Sequence, residues 1–228
     1  LLVVLALILV AAQFVRNYVT TKDNALNILA INAGGNANEE FEEAFLTGFL
    51  EENGVNTSKY EVSVNRSVTV NADSADYSSA YSEGTLLTLF TAQQVDLFFA
   101  DYDYFRSMAS EGYAKNLEDY LTEEELAALD TDSLVYVTVQ EDDGDDEGET
   151  GDGDEAADAD GENNGNSDDY ERTDGEMILA GIRLPQAEGW LGEMGWYQDG
   201  ADVVVGISAS VQHEDLAMEL LREVLSYE

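Results

Sequence analysis

The residues Gly206-Ile207-Ser208-Ala209-Ser210 lie between the apolar run Val203–Val205 and a helical pattern. This is the setting in which a hydrolase presents its nucleophile on a G-x-S-x-G elbow. That elbow needs glycine on both sides of the serine, so that a tight turn can expose the hydroxyl. Here Ser210 stands in place of the second glycine, and the single histidine, His213, follows Ser208 on the same stretch. A general base usually arrives from a distant part of the chain, after the acid. The pattern therefore predicts an ordinary strand-to-helix turn, and the chain is expected not to be an enzyme. Ser210 or Gln212, with the acids Glu214 and Asp215, should favour the helix N-terminus, and His213 should face solvent in its first turn.

Three other groups carry potential chemistry. Gly34-Gly35 follows an apolar run, but "GGNANEEF" supplies neither the further glycines nor the lysine that a phosphate loop needs, and its glutamates repel anions. A flexible turn into a helix is the expectation there. Asp160, Glu162, Asn164, Asn166, Asp168 and Glu171 approach the spacing of a twelve-residue calcium loop. Glu162 is too long for its position, Ser167 replaces the apolar anchor and no amphipathic helices flank the loop, so loose counterion binding is expected and no dedicated cofactor. In "ADYDYF", Asp101, Tyr102 and Asp103 follow an apolar strand, where open parallel sheets bind ligands. They offer acceptors and a stacking face, while Asp101 or Asp103 equally suits the cap of the next helix. Trp190 and Trp196 suit stacking on a sugar or a partner, or covering the edge of the core.

The charge narrows the partners. Nine Lys+Arg against 49 Asp+Glu leave a formal net charge of −40, a field that repels nucleic acid and anionic headgroups and attracts cations and basic partners. No cysteine is present, which excludes disulfides, thiolate metal sites and attachment through a lipidated cysteine. Residues 141–171 hold 16 acids and six glycines without a Lys or Arg, and read as a disordered acidic insertion. The remaining 197 residues still carry −40 + 16 = −24.

The elements that must position these residues follow from periodicity. The opening run "LLVVLALILVAAQF" has no polar face. It is shorter than the roughly 20 residues of a spanning helix, and the chain begins at Leu1. The expectation is a truncated membrane anchor over 1–22, with a secretory signal cleaved near Val10-Ala11-Ala12 as the other reading. One α/β domain should occupy 23–140 and 172–228. Within it, strands are expected over Ala25–Ala33, in Tyr60–Val70, over Val95–Ala100, in "SLVYVTV", in "EMILAGIRLP" and in "ADVVVGI". Helices should cover Phe41–Phe49 with Asn36 or Asn38 as cap, about Tyr77–Ala92, Tyr104–Ser110, Glu123–Leu129 and the C-terminus, where Ala217, Leu220, Leu221, Val224 and Leu225 form one stripe. The alternation implies a mostly parallel sheet flanked by helices.

Three segments, "LLTLFTAQQVDLFFADYDYFRSMASEGYAKNLEDYL", "TDGEMILAGIRLP" and "VVVGISASVQHEDLAMELLREVLSYE", resemble in order and spacing the extracellular solute-binding proteins of the carbohydrate-type family, with the type II periplasmic-binding fold. The resemblance implies that Val203–Leu221 is the strand that re-enters the first lobe plus the helix packed on it. Members of that family carry a second lobe between the last two segments, where this chain has only about 20 residues. The implied protein is a membrane-anchored, single-lobe relative exposed outside the cytoplasm. Its candidate ligand is a small solute such as a sugar, its candidate partner a transporter permease, and Asn32, Gly34, Asp101, Tyr102 and Ser208 at the strand ends are the expected ligand-binding residues. The other reading is a cell-envelope interaction protein whose acidic loop gathers cations or basic partners.

Overall fold

The computed structural model describes residues 22–70, 77–139, 175–184 and 189–227. The apolar run before Lys22, the acidic insertion with its calcium-like spacing, and Pro185 lie outside the described residues. Among the described residues no helix is long and apolar enough to cross a membrane.

The described residues form one sheet of six strands: β1 (Asp23–Ala30), β2 (Tyr60–Asn65), β3 (Leu97–Asp101), β4 (Leu134–Val139), β5 (Glu176–Leu184) and β6 (Val203–Ile207), in the order β2-β1-β3-β6-β5-β4. Among the described residues six α-helices accompany them, α1 (Glu39–Glu52), α2 (Tyr77–Thr91), α3 (Tyr102–Ser110), α4 (Glu123–Ala128), α5 (Trp190–Met194) and α6 (Glu214–Ser226), with short 3-10 turns at Leu117–Asp119 and Thr131–Ser133. The layered α/β architecture agrees with the sequence reading, and β6 lies beside β3.

The strand directions require a correction. β1 runs parallel to β2 and β3, but the β3–β6, β6–β5 and β5–β4 pairs are antiparallel. The sheet is therefore mixed, with three of its five pairings antiparallel. The strand ends account for the β4–β5 and β5–β6 pairs. β4 ends at Val139 opposite Glu176, where β5 begins, and β5 ends at Leu184 opposite Val203, where β6 begins. Both connections leave and return at one edge of the sheet, which makes neighbours antiparallel, whereas a parallel pair needs a crossover.

Alternation along the central strands divides the core. Leu26, Ile28, Leu97, Phe99, Val203 and Val205 face the layer of α1, α5 and α6, and Leu29, Ile31, Phe98, Ala100 and Val204 face the layer of α2 and α3. β3 is buried on both faces, as its unbroken apolar run predicts. A bulge interrupts β5, where Val135 opposes Gly181 and Tyr136 opposes Leu179. Phe105 of α3 lies stacked on Phe98 at 4.9 Å and fills the space over two glycines. A Cβ on Gly181 would fall 2.5 Å from its ring, and one on Gly206 2.7 Å.

Local signals account for several helix ends. Asn38 caps α1 by accepting from Phe41 N at 3.3 Å, and Asp101 caps α3 by accepting from Tyr104 N at 3.2 Å. Thr122 and Glu125 form a reciprocal capping box on α4.

Candidate functional site

The carboxyl ends of β1, β3 and β5 share one edge of the sheet with the start of β6. Just beyond β1, Asn32 adopts the left-handed conformation at φ 60°, which asparagine tolerates better than most residues. Its side chain ties three segments together. Nδ2 donates to Asp101 Oδ2 at 2.7 Å, and Oδ1 accepts from Val70 N at 2.7 Å. Asp101 also holds the α3 cap, so each of its oxygens has a partner.

Around this tie the loop after α5 folds back onto the turn after β1. Gly35 N donates to Trp196 O at 2.8 Å, and Asn38 N to Met194 O at 2.9 Å. The approach is so close that a Cβ on Gly35 would sit 2.4 Å from Gly195 O and 2.6 Å from Tyr197 O. Tyr197 donates its hydroxyl proton to Ile31 O at 2.9 Å. Burial, reinforced by the charge of Asp101, keeps that phenol well above its ordinary pKa and hence neutral. Between the two segments lies a predominantly polar groove of about 490 Å³, lined by Gly34, Gly35, Asn36, Gly195, Tyr197 and Gln198. Gln198 Nε2 donates to Gly34 O at 3.2 Å across its mouth. Glycine backbone makes up much of the wall, leaving peptide groups within reach of a ligand's hydroxyls.

On the same edge the Tyr102 ring lies under two guanidinium groups, Arg183 at 4.3 Å and Arg106 at 5.6 Å from its centroid. Arg183 Nε is 3.0 Å from Asp202 Oδ1, an ion pair in which the N–H is not aligned as a hydrogen bond. Asp202 also accepts from Tyr102 N through its backbone carbonyl at 2.8 Å.

Of the five expected ligand-binding residues, Gly34 lines the groove, Asn32 and Asp101 brace it, and Tyr102 stands on the same edge. Ser208 does not join them. Because β6 is antiparallel to β3, Ile207 pairs with Leu97 and Ser208 lies at the opposite edge. It is fully buried, with its hydroxyl 2.9 Å from Ser210 Oγ. His213 keeps 37% of its side chain exposed, but it stands at the N-cap of α6, not in the first turn, and its Nδ1 lies 3.0 Å from Asp96 Oδ2. No side chain of Ser210 or Gln212 caps α6. Asp96 does so from β3's amino end, its Oδ1 accepting from Gln212 N at 2.8 Å and His213 N at 3.0 Å. Trp190 and Trp196, 2% and 1% exposed, cover the core: Trp190 stacks on Phe99 at 5.4 Å, and Trp196 Nε1 donates to Glu42 Oε2 at 2.6 Å.

No functional signal in the sequence marks Tyr197 and Gln198, and Asn36 is offered there only as a helix cap, a role that Asn38 takes. Their residue types announce nothing, and their assembly depends on a return of the chain to β1 that no local pattern encodes. Asp96 had a signal, being the one acid within the otherwise apolar run Val95–Ala100.

No protein-family model matches the chain, and no curated protein matches it. Among solved structures, half of the chain is similar to an ABC substrate-binding protein from Listeria monocytogenes, determined in complex with cycloalternan. The identity is 20%, the match covers 50% of this chain and 24% of that protein, and the TM-score is 0.29. The chain thus corresponds to about a quarter of that protein's length, and a likeness this slight does not bear on function.

Proposed function

We propose that this chain is a non-enzymatic solute-binding domain that takes a small, uncharged, hydroxyl-rich molecule such as a sugar into the groove between Gly34-Gly35 and Tyr197-Gln198. The observation that carries the reading is the groove's position. It lies beyond the carboxyl ends of β1 and β3, where open α/β sheets bind their ligands. Its walls include glycine peptide groups, the Asn36 and Gln198 amides and the Asp199 carboxylate, all of which suit hydroxyls, and a net charge of −40 disfavours anionic solutes. In the same proposal, residues 1–22 hold the domain at the cell membrane with the groove outside the cytoplasm, and a transporter permease receives the solute.

Ser208 and His213 lend no support to a hydrolase, since each is already bonded to a different partner, Ser210 and Asp96.

Isothermal titration of the full chain against a panel of monosaccharides and oligosaccharides tests the proposal. Heat of binding that disappears in Gly34→Trp is the expected result, because the ordinary 3.6 Å clearance from a Gly34 Cβ to Gln198 Nε2 lets a larger side chain enter the groove. No heat from any sugar, or binding undiminished in that variant, would remove the groove from consideration.

A further inference from the structure

A second groove lies away from that edge, where the C-terminal ends of α1 and α6 meet α4. It encloses about 560 Å³ over Leu121, Ala128, Leu129 and Leu225. The cation lining it, Arg222, is fully committed. Its Nε is 2.7 Å from Glu125 Oε1, its Nη1 2.8 Å from Glu219 Oε1, and its Nη2 donates to Tyr120 O at 3.1 Å. Glu223 lines the same groove and has no ion-pair partner among the described residues. Burial, followed by the charge of neighbouring Glu52, pushes its carboxyl above the ordinary value. Neither α1 nor α6 has a basic residue in its last turn, so their terminal carbonyls add to the negative potential. Ala128, Leu129 and Leu225 also line an adjoining cavity of about 430 Å³, which Asp130, Asp132 and Arg183 help to line, the guanidinium being paired with Asp202. The two together form a trough with an apolar floor and an acidic rim.

We propose that this trough docks a basic amphipathic segment of a partner protein. A bulky aliphatic side chain seats on Leu121, Leu129 and Leu225, and a flanking Lys or Arg reaches Glu223. Both halves of the surface are needed to choose this occupant. A bare cation would leave the leucine floor uncovered, an anionic lipid surface would be repelled by the rim, and a second copy of a chain carrying −40 would be repelled as a whole. Burial of the aliphatic anchor supplies affinity, and the charge pair supplies orientation and encounter rate.

The probe is a fluorescein-labelled twelve-residue peptide of leucines and lysines at helical spacing, titrated by fluorescence anisotropy against the full chain at about 0.15 M salt, where long-range attraction is screened. Two exposed alanines on α4 separate groove from general charge, because Ala128 lines the trough and Ala127 does not. Ala128→Arg should weaken binding about tenfold or more and Ala127→Arg less than about twofold. A peptide with alanines for leucines should bind at least about tenfold more weakly, and removal of residues 141–171 should leave binding in place. Equal losses in the two arginine variants, equal binding by the alanine peptide, or loss of binding with the acidic insertion would overturn the proposal. Hydrogen exchange on the unmodified chain gives a reading free of any variant. The peptide should slow exchange over 121–129 and 219–226 but not over 31–36, and the reverse pattern would also overturn the proposal.

Discussion

Asp96 and Asp101 bracket the same strand, β3, and their surroundings diverge. Asp96 is fully buried and accepts from Asn27 N and Nδ2, Gln212 N and His213 N, with the His213 ring alongside. Asp101 is half-buried, shares one oxygen with Asn32 and the other with Tyr104 N, and stands at the edge of the sheet to which β1 leads before Gly34. One carboxylate is a joint that fastens β1, β3 and the start of α6. The other braces an edge that remains accessible. A buried acid surrounded by donors is a structural element, and an acid with few partners at the carboxyl edge of a sheet is where ligand binding should be sought.

The contrast can be broken most directly at the joint. Asp96→Ala strands several buried donors and should cost about 3–5 kcal/mol in urea unfolding, whereas Asp101→Ala, losing a cap and one side-chain bond, should cost about 1–2 kcal/mol. Equal losses would mean that the two ends do the same work. Within the accessible edge, the paired glycines make a finer test. Gly35→Ala drives a Cβ to 2.4 Å from Gly195 O and should cost about 1–3 kcal/mol, while Gly34→Ala meets ordinary contacts and should leave the unfolding midpoint nearly unchanged. At Asn32 the backbone and the side chain separate. Both Asn32→Ala and Asn32→Gly lose the bonds to Asp101 and Val70, but only alanine bears the left-handed strain, so it should be less stable than the glycine variant by about 1 kcal/mol.

The smallest effect is in pH. Burial raises the Asp96 carboxyl, but the His213 ring and the backbone N–H groups of His213, Gln212 and Asn27 more than offset this and hold it below its ordinary value. As pH falls, the unfolded chain protonates this residue first, near about 3.9. Stability from Asp96 is therefore complete above that value and is lost as pH drops through the lower folded pKa. Urea unfolding between about pH 5 and 2 should show a steeper decline in the native chain than in Asp96→Asn. Glu125, held down to about 2 by the Thr122 N–H and then by Arg222, should contribute in the same direction, and Glu125→Gln should flatten the profile less because its carboxylate is exposed to solvent screening.

Much of the fold was legible along the chain. The apolar run Val95–Ala100 announced a strand, and Asn36 or Asn38 and Asp101 or Asp103 marked two helix starts, of which Asn38 and Asp101 are the caps, because capping and periodicity involve residues a few positions apart. Strand direction was not legible. "VVVGI" reads the same whether it runs with or against β3, so the expectation of a mostly parallel sheet placed Ser208 with Asp101 when it belongs at the other edge.

The amino-acid sequence by itself determined which segments become strands and helices, how acidic the surface is and where the chain must turn, since these depend on side-chain spacing and local hydrogen bonding. The tertiary structure alone decided that β6 runs back between β3 and β5, that Asp96 caps a helix 116 residues away, and that Tyr197 and Gln198 complete a groove begun by Gly34. Those outcomes depend on which distant surfaces bury one another, and the packing of the whole chain selects among pairings that local pattern leaves equal.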